Sequence, residues 1–362
     1  MKIERVQIRQ VDFPLVIPYK VSLATIRTFD PFVVEVHGAD GGSGFGEALI
    51  IPGYTTETIE GSWRLCEFLA ERIVGRSLQE AQSIAGDNVP AGVGAASAVL
   101  AALDMLAGHV TLQATEDLTI PLLAPVQSTE HAALADEIEN TLARGFRTLK
   151  IKVGFDWQRD LDYVEQIQRL VGGRATLRLD ANQGFNRDDG IAFASRLAPA
   201  GIELFEQPCL LDDWLANAAV AAKSAVPVML DESIYDLSDI DRAAAIEGVG
   251  FVKLKLKKMG SIDMLAAGLA RIRANGLTPV LGDGVSLEIG CWAEACVAAQ
   301  SIDNAGEMNG FLKTRDRVFE NPLPFREGAI RIAAGYTPRL NLDLLARNTL
   351  RYAAFNARTV SV

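Results

Sequence analysis

Histidine is scarce in this sequence and cysteine has no pattern. Only His37, His109 and His131 occur among 362 residues, with four cysteines at 66, 209, 291 and 296. No C-x-x-C pair or zinc-like spacing links the cysteines, so the expected state is reduced structural thiols in a cytosolic protein. Basic charge is also short: 35 Lys and Arg face 46 Asp and Glu, for a net charge of −11. That balance excludes nucleic acid or an anionic membrane as the expected partner. Long apolar runs are missing. The longest weakly charged stretch, Gly92–Val110, is rich in Gly and Ala and carries Asp104 in its middle. It reads as a buried small-residue helix rather than a membrane span. Met1–Gln10 is charged and alternating, so no signal peptide is expected and the predicted location is cytoplasmic. No segment is of low complexity.

What is present is a ladder of polar strand ends. Thr148–Gly154 alternates with period two, placing Leu149, Ile151 and Val153 on one face and Lys150 and Lys152 on the other. Alone, a lysine pair on a strand reads as a solvated edge. Downstream, however, Asp180 closes Thr176–Asp180, Glu206 closes Ile202–Glu206, Asp231 follows Val228-Met229-Leu230, and Lys255 lies in Phe251–Leu256. From Lys152 the intervals are 28, 26, 25 and 24 residues, and further steps land near Asp283 and Glu307. Amphipathic segments such as Asp156–Val171, Asp188–Leu197 and Ser261–Asn275 fill the gaps. Strands alternating with helices at this step form parallel βα units, and about eight of them close a barrel with its active site at the carboxyl strand ends. With Lys152 on the second strand and Lys255 on the sixth, the two lysines face each other across the mouth, and three carboxylates line the wall between them.

The remaining chain falls outside the ladder. Residues 1–115 read as an α+β unit, with strands near Ile3–Ile8 and Phe32–Val36, a turn at Ala39–Gly42, and helices over Thr58–Val74 and Ala95–Gly108. The barrel is expected over 116–324, with a first strand at Ile120–Val126. The tail, 325–362, is expected to return to the first unit. Two loops there, Tyr19–Thr25 and Ile51–Thr56, are candidates to contact substrate through Tyr19 and Tyr54.

Three adjacent carboxylates repel one another by several kcal/mol at short range and call for a cation. Hard oxygen donors without His or Cys suit Mg2+, with Mn2+ as the alternative. A lattice of lysine–carboxylate pairs without metal is the competing reading. Beside a divalent ion, Lys152 and Lys255 would have lowered pKa values suited to acid–base work. The chemistry that needs both is removal of a proton next to a carboxylate, with the metal stabilising the enediolate. Lys150 shares a face with Lys152 and would lower its pKa further. Lys253 points inward one layer deeper, and Arg178 is placed to orient Asp180.

Lys150-Ile151-Lys152, Asp180-Ala181-Asn182, Glu206-Gln207-Pro208, Asp231-Glu232-Ser233 and Lys255–Gly260 together resemble the signatures of the enolase superfamily. Within it, the chain is similar to the muconate-lactonizing branch of the mandelate racemase/muconate lactonizing enzyme family. Phe45–Ala48 and Ala101–Met105 look like the first-domain signatures. The resemblance implies an α/β fold, a modified (β/α)7β TIM barrel under an N-terminal α+β capping domain. It also implies Mg2+ bound by Asp180, Glu206 and Asp231, with Lys152 and Lys255 serving opposite faces of the substrate. Asn182, Glu232, Lys150, Asp283 and Glu307 are expected around the substrate. No His lies near the seventh strand end, unlike the mandelate-racemase branch, and Glu307-Met308-Asn309 stands where dipeptide epimerases have Asp-x-Asp.

The expected function is therefore a racemase or epimerase of an amino-acid derivative, an N-acyl amino acid or dipeptide, with a small carboxylate as partner and a homo-oligomeric state. Cycloisomerisation of the muconate type, or dehydration (of the o-succinylbenzoate-synthase type, or of a sugar acid or hydroxy-amino acid), are the alternatives on the same scaffold. A Schiff-base aldolase and a non-catalytic scaffold are remoter ones. Glu307 is expected to receive a cationic or N–H-bearing group of the substrate, unless it pairs with a barrel lysine or Lys313.

Overall fold

The structure, a computed structural model, describes residues 1–20, 25–53 and 55–357. Its N-terminal cap is built on an antiparallel sheet in the order Thr349–Asn356, Ile3–Val11, Phe32–Gly38, Ser43–Ala48. Val6, Ile8, Val34 and Val36 are buried on it. The turn at Ala39–Gly42 is where the sequence placed it: the Gly38 N–H donates to the Gly42 carbonyl, the Gly41 N–H to the Gly38 carbonyl, and Gly41 takes φ 86°. The helix Val93–Leu106 lies directly on the last strand. A Cβ at Gly44 would run into the Ala102 carbonyl, and one at Gly46 into the Ala98 carbonyl. This close approach explains why the helix carries Gly or Ala at six of its fourteen positions, Ala98 and Ala102 among them, and is buried on nearly every side. A second helix, Ile59–Ile73, is capped by Thr58, whose hydroxyl accepts from the Gly61 N–H. Among the described residues no helix is long and apolar enough to cross a membrane.

Seven parallel strands form the barrel wall: β1 (Ala124–Val126), β2 (Thr148–Lys152), β3 (Thr176–Asp180), β4 (Ile202–Glu206), β5 (Val228–Leu230), β6 (Val249–Leu254) and β7 (Thr278–Leu281), hydrogen-bonded in that order. The eighth position is not a strand. Gly306 bridges Leu122, and the Glu307 N–H donates to the Leu281 carbonyl, which closes the ring residue by residue. Helices such as Trp157–Val171 and Ile262–Ala274 cover the outside, capped by Asp156 and Ser261. Their apolar faces meet Leu149, Ile151, Val252 and Leu254, each buried. A fully buried aliphatic side chain contributes roughly 1.5–3 kcal/mol, so the outward face of each strand is well fixed. The lysines on the opposite face must point into the barrel.

Three expectations are corrected. The segment Ile120–Val126 is two elements, because the Leu122 and Leu123 N–H groups go to different carbonyls, Gly328 and Gly306. Leu118–Pro121 pairs antiparallel with Ala329–Ile332, and only Ala124–Val126 enters the barrel. The tail therefore divides: Ala329–Ile332 stays with the barrel's first turn, and Thr349–Asn356 joins the cap beside Ile3–Val11. Lastly, β6 ends at Leu254. Lys255 precedes a four-residue helix, Leu256–Met259.

Candidate active site

Register brings the polar strand ends to one level. Lys152 is paired with Asp180, and Asp180 with Glu206, across β2, β3 and β4. Asp231 follows β5 directly and Lys255 follows β6. One pocket is lined by Lys152, Asp180, Asp231, Lys255 and Glu307, together with Tyr19 and Ile51 from the cap. The two lysines with access differ in exposure: the Lys152 side chain is 20% exposed and that of Lys255 9%. Lys152 Nζ lies 2.5 Å from Asp180 Oδ2, and Lys255 Nζ lies 2.7 Å from Asp231 Oδ2.

Two further lysines sit among the carboxylates rather than at the ends of the arc. Lys150 Nζ lies 2.9 Å from Asp180, 3.0 Å from Glu206 and 2.9 Å from Glu307. Lys253 Nζ lies 3.2 Å from Glu206 and 3.7 Å from Asp231, and bonds Glu307 as well. The interior of this structure is thus the lysine–carboxylate lattice weighed above. Lys253 points inward as expected and meets interior acids there, and Glu307 is held by two barrel lysines. Arg178 does not orient Asp180. It is buried against Glu203, the Ala305 carbonyl and Asn304.

The electrostatics follow from burial against ion pairing. Burial alone would raise the Asp180 carboxyl, but Lys150, Lys152 and Lys253 hold it down at about 2. Asp231 is likewise held low, burial being outweighed by Lys255 and Lys253. Glu206 is pushed up, by burial and then by Asp180. Burial would lower the Lys152 ammonium, yet Asp180 keeps it raised. Lys150 acts on Lys152 in the downward direction expected from sequence, but Asp180 outweighs it.

Asn182 joins two of these groups. Its amide oxygen accepts from Lys152, and its Nδ2 donates to Glu232 Oε1 at 2.9 Å. Among the described residues the other Glu232 oxygen, also buried, has no hydrogen-bond partner, and burial pushes that carboxyl up to about 7. Asp283 lies in the pocket wall and pairs with Lys257 at 2.8 Å. Tyr19 lines the pocket, whereas Tyr54 and residues 21–24 of the first candidate loop lie outside the described residues.

The sequence assigned no role to Lys257, Lys258 or Glu47 beyond their place in the signatures. Lys258 is buried, donates to the Asp231 carbonyl, and lies 4.6 Å from the Tyr235 ring centroid. Glu47 reaches from the cap to the N-terminus of the barrel helix Glu288–Ser301, where it accepts from the Gly290 N–H at 2.9 Å. That helix has no side-chain cap of its own. Only the repetition of lysine after β6 could have drawn attention to 257 and 258.

The donor set fits a hard divalent cation. Asp180, Glu206 and Asp231 are buried carboxylates on three consecutive strands, with no His or Cys among them. In this structure the ammonium groups of Lys150 and Lys253 bridge these oxygens, and among the described residues no three Asp, Glu, His or Cys side chains are gathered into a ready-made metal site. The arrangement can therefore hold positive charge at its centre and a proton-carrying amine at either side.

The family model described as enolase C-terminal domain-like matches residues 133–337, more than half of the chain. The chain belongs to this family. It is 30% identical over 321 residues to an L-Ala-D/L-Glu epimerase of Bacillus subtilis, covering 83% of this chain and 85% of that one. It is also 27% identical to a chloromuconate cycloisomerase of Delftia acidovorans, covering 95% and 97%. Among solved structures, a dipeptide epimerase of Enterococcus faecalis, complexed with Mg and L-Leu-L-Tyr, superposes with a TM-score of 0.83 at 26% identity, covering 92% of this chain and 99% of that one. The fold is the α/β TIM barrel of this family under a mostly-sheet N-terminal cap, as the sequence suggested.

Proposed function

We propose that this enzyme removes the proton α to the carboxylate of an amino-acid derivative and returns one to the opposite face, so that it epimerises Cα. The observation that carries this reading is the pair Lys152 and Lys255. They stand at the ends of strands four apart, Lys255 one residue past β6, and open to one pocket, with three buried carboxylates between them. One amine in its neutral form takes the proton, and the other, as an ammonium, delivers one from across the mouth. Asn182 orients Lys152 through its amide oxygen. Asp231 holds Lys255. Lys150 and Lys253 fix the carboxylates and are themselves fixed by Glu307.

Asp180, Glu206 and Asp231 would hold Mg2+, the ion named for the Enterococcus relative. When bound, such an ion supplies positive charge for the anion that forms as the α-proton leaves. Lys257 and Tyr19 shape the outer pocket. The epimerase relative at 30% identity supports Cα epimerisation, and the cycloisomerase relative at 27% supports ring formation on the same residues as the second reading.

Proton–deuteron exchange in D2O tests this. With N-acyl amino acids and dipeptides of both configurations, the native enzyme should exchange the α-proton of each enantiomer. Lys152→Ala should stop exchange from one enantiomer and Lys255→Ala from the other. Equal loss from both enantiomers in both variants would refute the two-base reading.

A further inference from the structure

The parallel pairing of β6 with β7 reaches Leu254 and Leu281, and just beyond that pair the Gly282 N–H donates to the Leu254 carbonyl at 3.1 Å. Lys255 and Asp283 follow at once, both in the pocket wall. Lys255 stays extended, at φ −139° and ψ 141°, but the chain then turns into the short helix Leu256–Met259. A helix start leaves backbone N–H groups without acceptors inside the helix, and the Lys255 side chain does not cap this one.

Glu294 supplies the missing acceptor from another element. It is buried on the barrel helix Glu288–Ser301, which follows β7. Its Oε1 accepts from the Leu256 N–H and its Oε2 from the Asp283 N–H, both at 2.8 Å. One carboxylate thus carries the β6–β7 pairing a rung further than the backbone does, and it grips the residue next to Lys255. A second link crosses the same gap, where Lys257 pairs with Asp283 at 2.8 Å. Glu294 itself does not line the pocket. The opposite amine is built differently. Lys152 is the last residue of β2 and is still inside the ladder, paired with Asp180. Its backbone is held by the sheet, whereas that of Lys255 lies outside the sheet and depends on a side chain.

We infer that Glu294 is a positioning residue for Lys255. By holding the Leu256 and Asp283 N–H groups together, it sets where the Lys255 backbone leaves β6 and so where that amine meets the substrate. This rests on the Cα-epimerase reading and adds to it a residue that serves one face of the substrate only.

Glu294→Gln tests it, because the amide keeps one acceptor and turns an N–H donor toward the second backbone N–H. The first measurement is α-proton exchange in D2O from N-acetyl-L-alanine and N-acetyl-D-alanine, on the Mg2+-supplemented enzyme. Lys255→Ala identifies the enantiomer that Lys255 serves. In Glu294→Gln, exchange from that enantiomer should fall about 10- to 100-fold and from the other by less than about 2-fold, as for one catalytic group displaced by about 1 Å. The second measurement needs no turnover. Trace labelling of amines with acetic anhydride, read by mass spectrometry, should show the ratio of Lys255 to Lys152 labelling rising severalfold. Glu288→Gln is the matched control on the same helix. Glu288 also accepts from two backbone N–H groups, Phe319 at 2.9 Å and Leu323 at 2.8 Å, so its loss should lower stability without favouring either enantiomer. Equal loss from both enantiomers in Glu294→Gln, no loss from either, or an unchanged labelling ratio would overturn the inference. If the native enzyme exchanges neither enantiomer, the epimerase reading falls, and the labelling ratio alone decides whether Glu294 holds Lys255.

Discussion

Replacing Glu47 with Gln should stabilise this protein at neutral and alkaline pH and leave it unchanged in acid. Glu47 sits in the cap, is 6% exposed, and inserts into the N-terminus of the barrel helix Glu288–Ser301. One oxygen accepts from Gly290, while the other, also buried, has no hydrogen-bond partner among the described residues. Burial, helped by the nearby Asp283 and Glu294, pushes the carboxyl from its ordinary 4.5 up to about 8. Between those values the unfolded chain releases the proton and the folded chain keeps it. Stability from this residue is therefore lost as pH rises from about 4.5 to 8, and is level above that. At ~1.4 kcal/mol per pH unit the ceiling of the effect is about 5 kcal/mol. Gln copies the protonated form, since its carbonyl can still accept from Gly290 while its amide carries no charge to bury. Urea unfolding of both forms at pH 4, 6, 7 and 8.5 measures it. The advantage of Glu47→Gln should be near zero at pH 4, grow through pH 6 and 7, and flatten above 8. A variant less stable than the native protein at pH 8.5, or an advantage independent of pH, would refute the reasoning.

Exhaustive chelation should abolish α-proton exchange and Mg2+ should restore it, whereas full activity in chelated enzyme would remove the metal from the scheme. Asp180→Asn, Glu206→Gln or Asp231→Asn should each abolish exchange while circular dichroism stays native-like. Glu307→Gln leaves Lys150 and Lys253 short of a shared buried counter-ion, so it should destabilise the fold by about 3–5 kcal/mol in denaturant unfolding. A change under ~0.5 kcal/mol would contradict the lattice.

The barrel and its ring of polar groups were legible in the sequence because both rest on short-range rules. Period two in Thr148–Lys152 fixed which face the lysines take, and the nearly constant interval fixed which strand end each carboxylate closes. What escaped depended on reach across the ring. A lysine side chain is long enough to cross from one strand to the next but one, so Lys253 on β6 meets Glu206 on β4. No periodicity encodes that. The split of Ile120–Val126 was hidden for a related reason: Leu122 and Leu123 look like one apolar run, and only the distant carbonyls of Gly328 and Gly306 separate them. Glu47 was quoted as part of a signature, but its role needed the barrel helix it enters, more than 200 residues away.

The pairing of Thr349–Asn356 with Ile3–Val11 also orders events during synthesis. Ile3–Val11 is translated before the barrel, and its neighbour Thr349–Asn356 only after it. At ~5–20 residues per second, the edge at Ile3–Val11 waits roughly 20–70 seconds for its partner, while the barrel between them is completed. During that interval the nascent chain presents an unpaired strand edge. Any factor that shields that edge acts on the cap while the barrel strands are still being made.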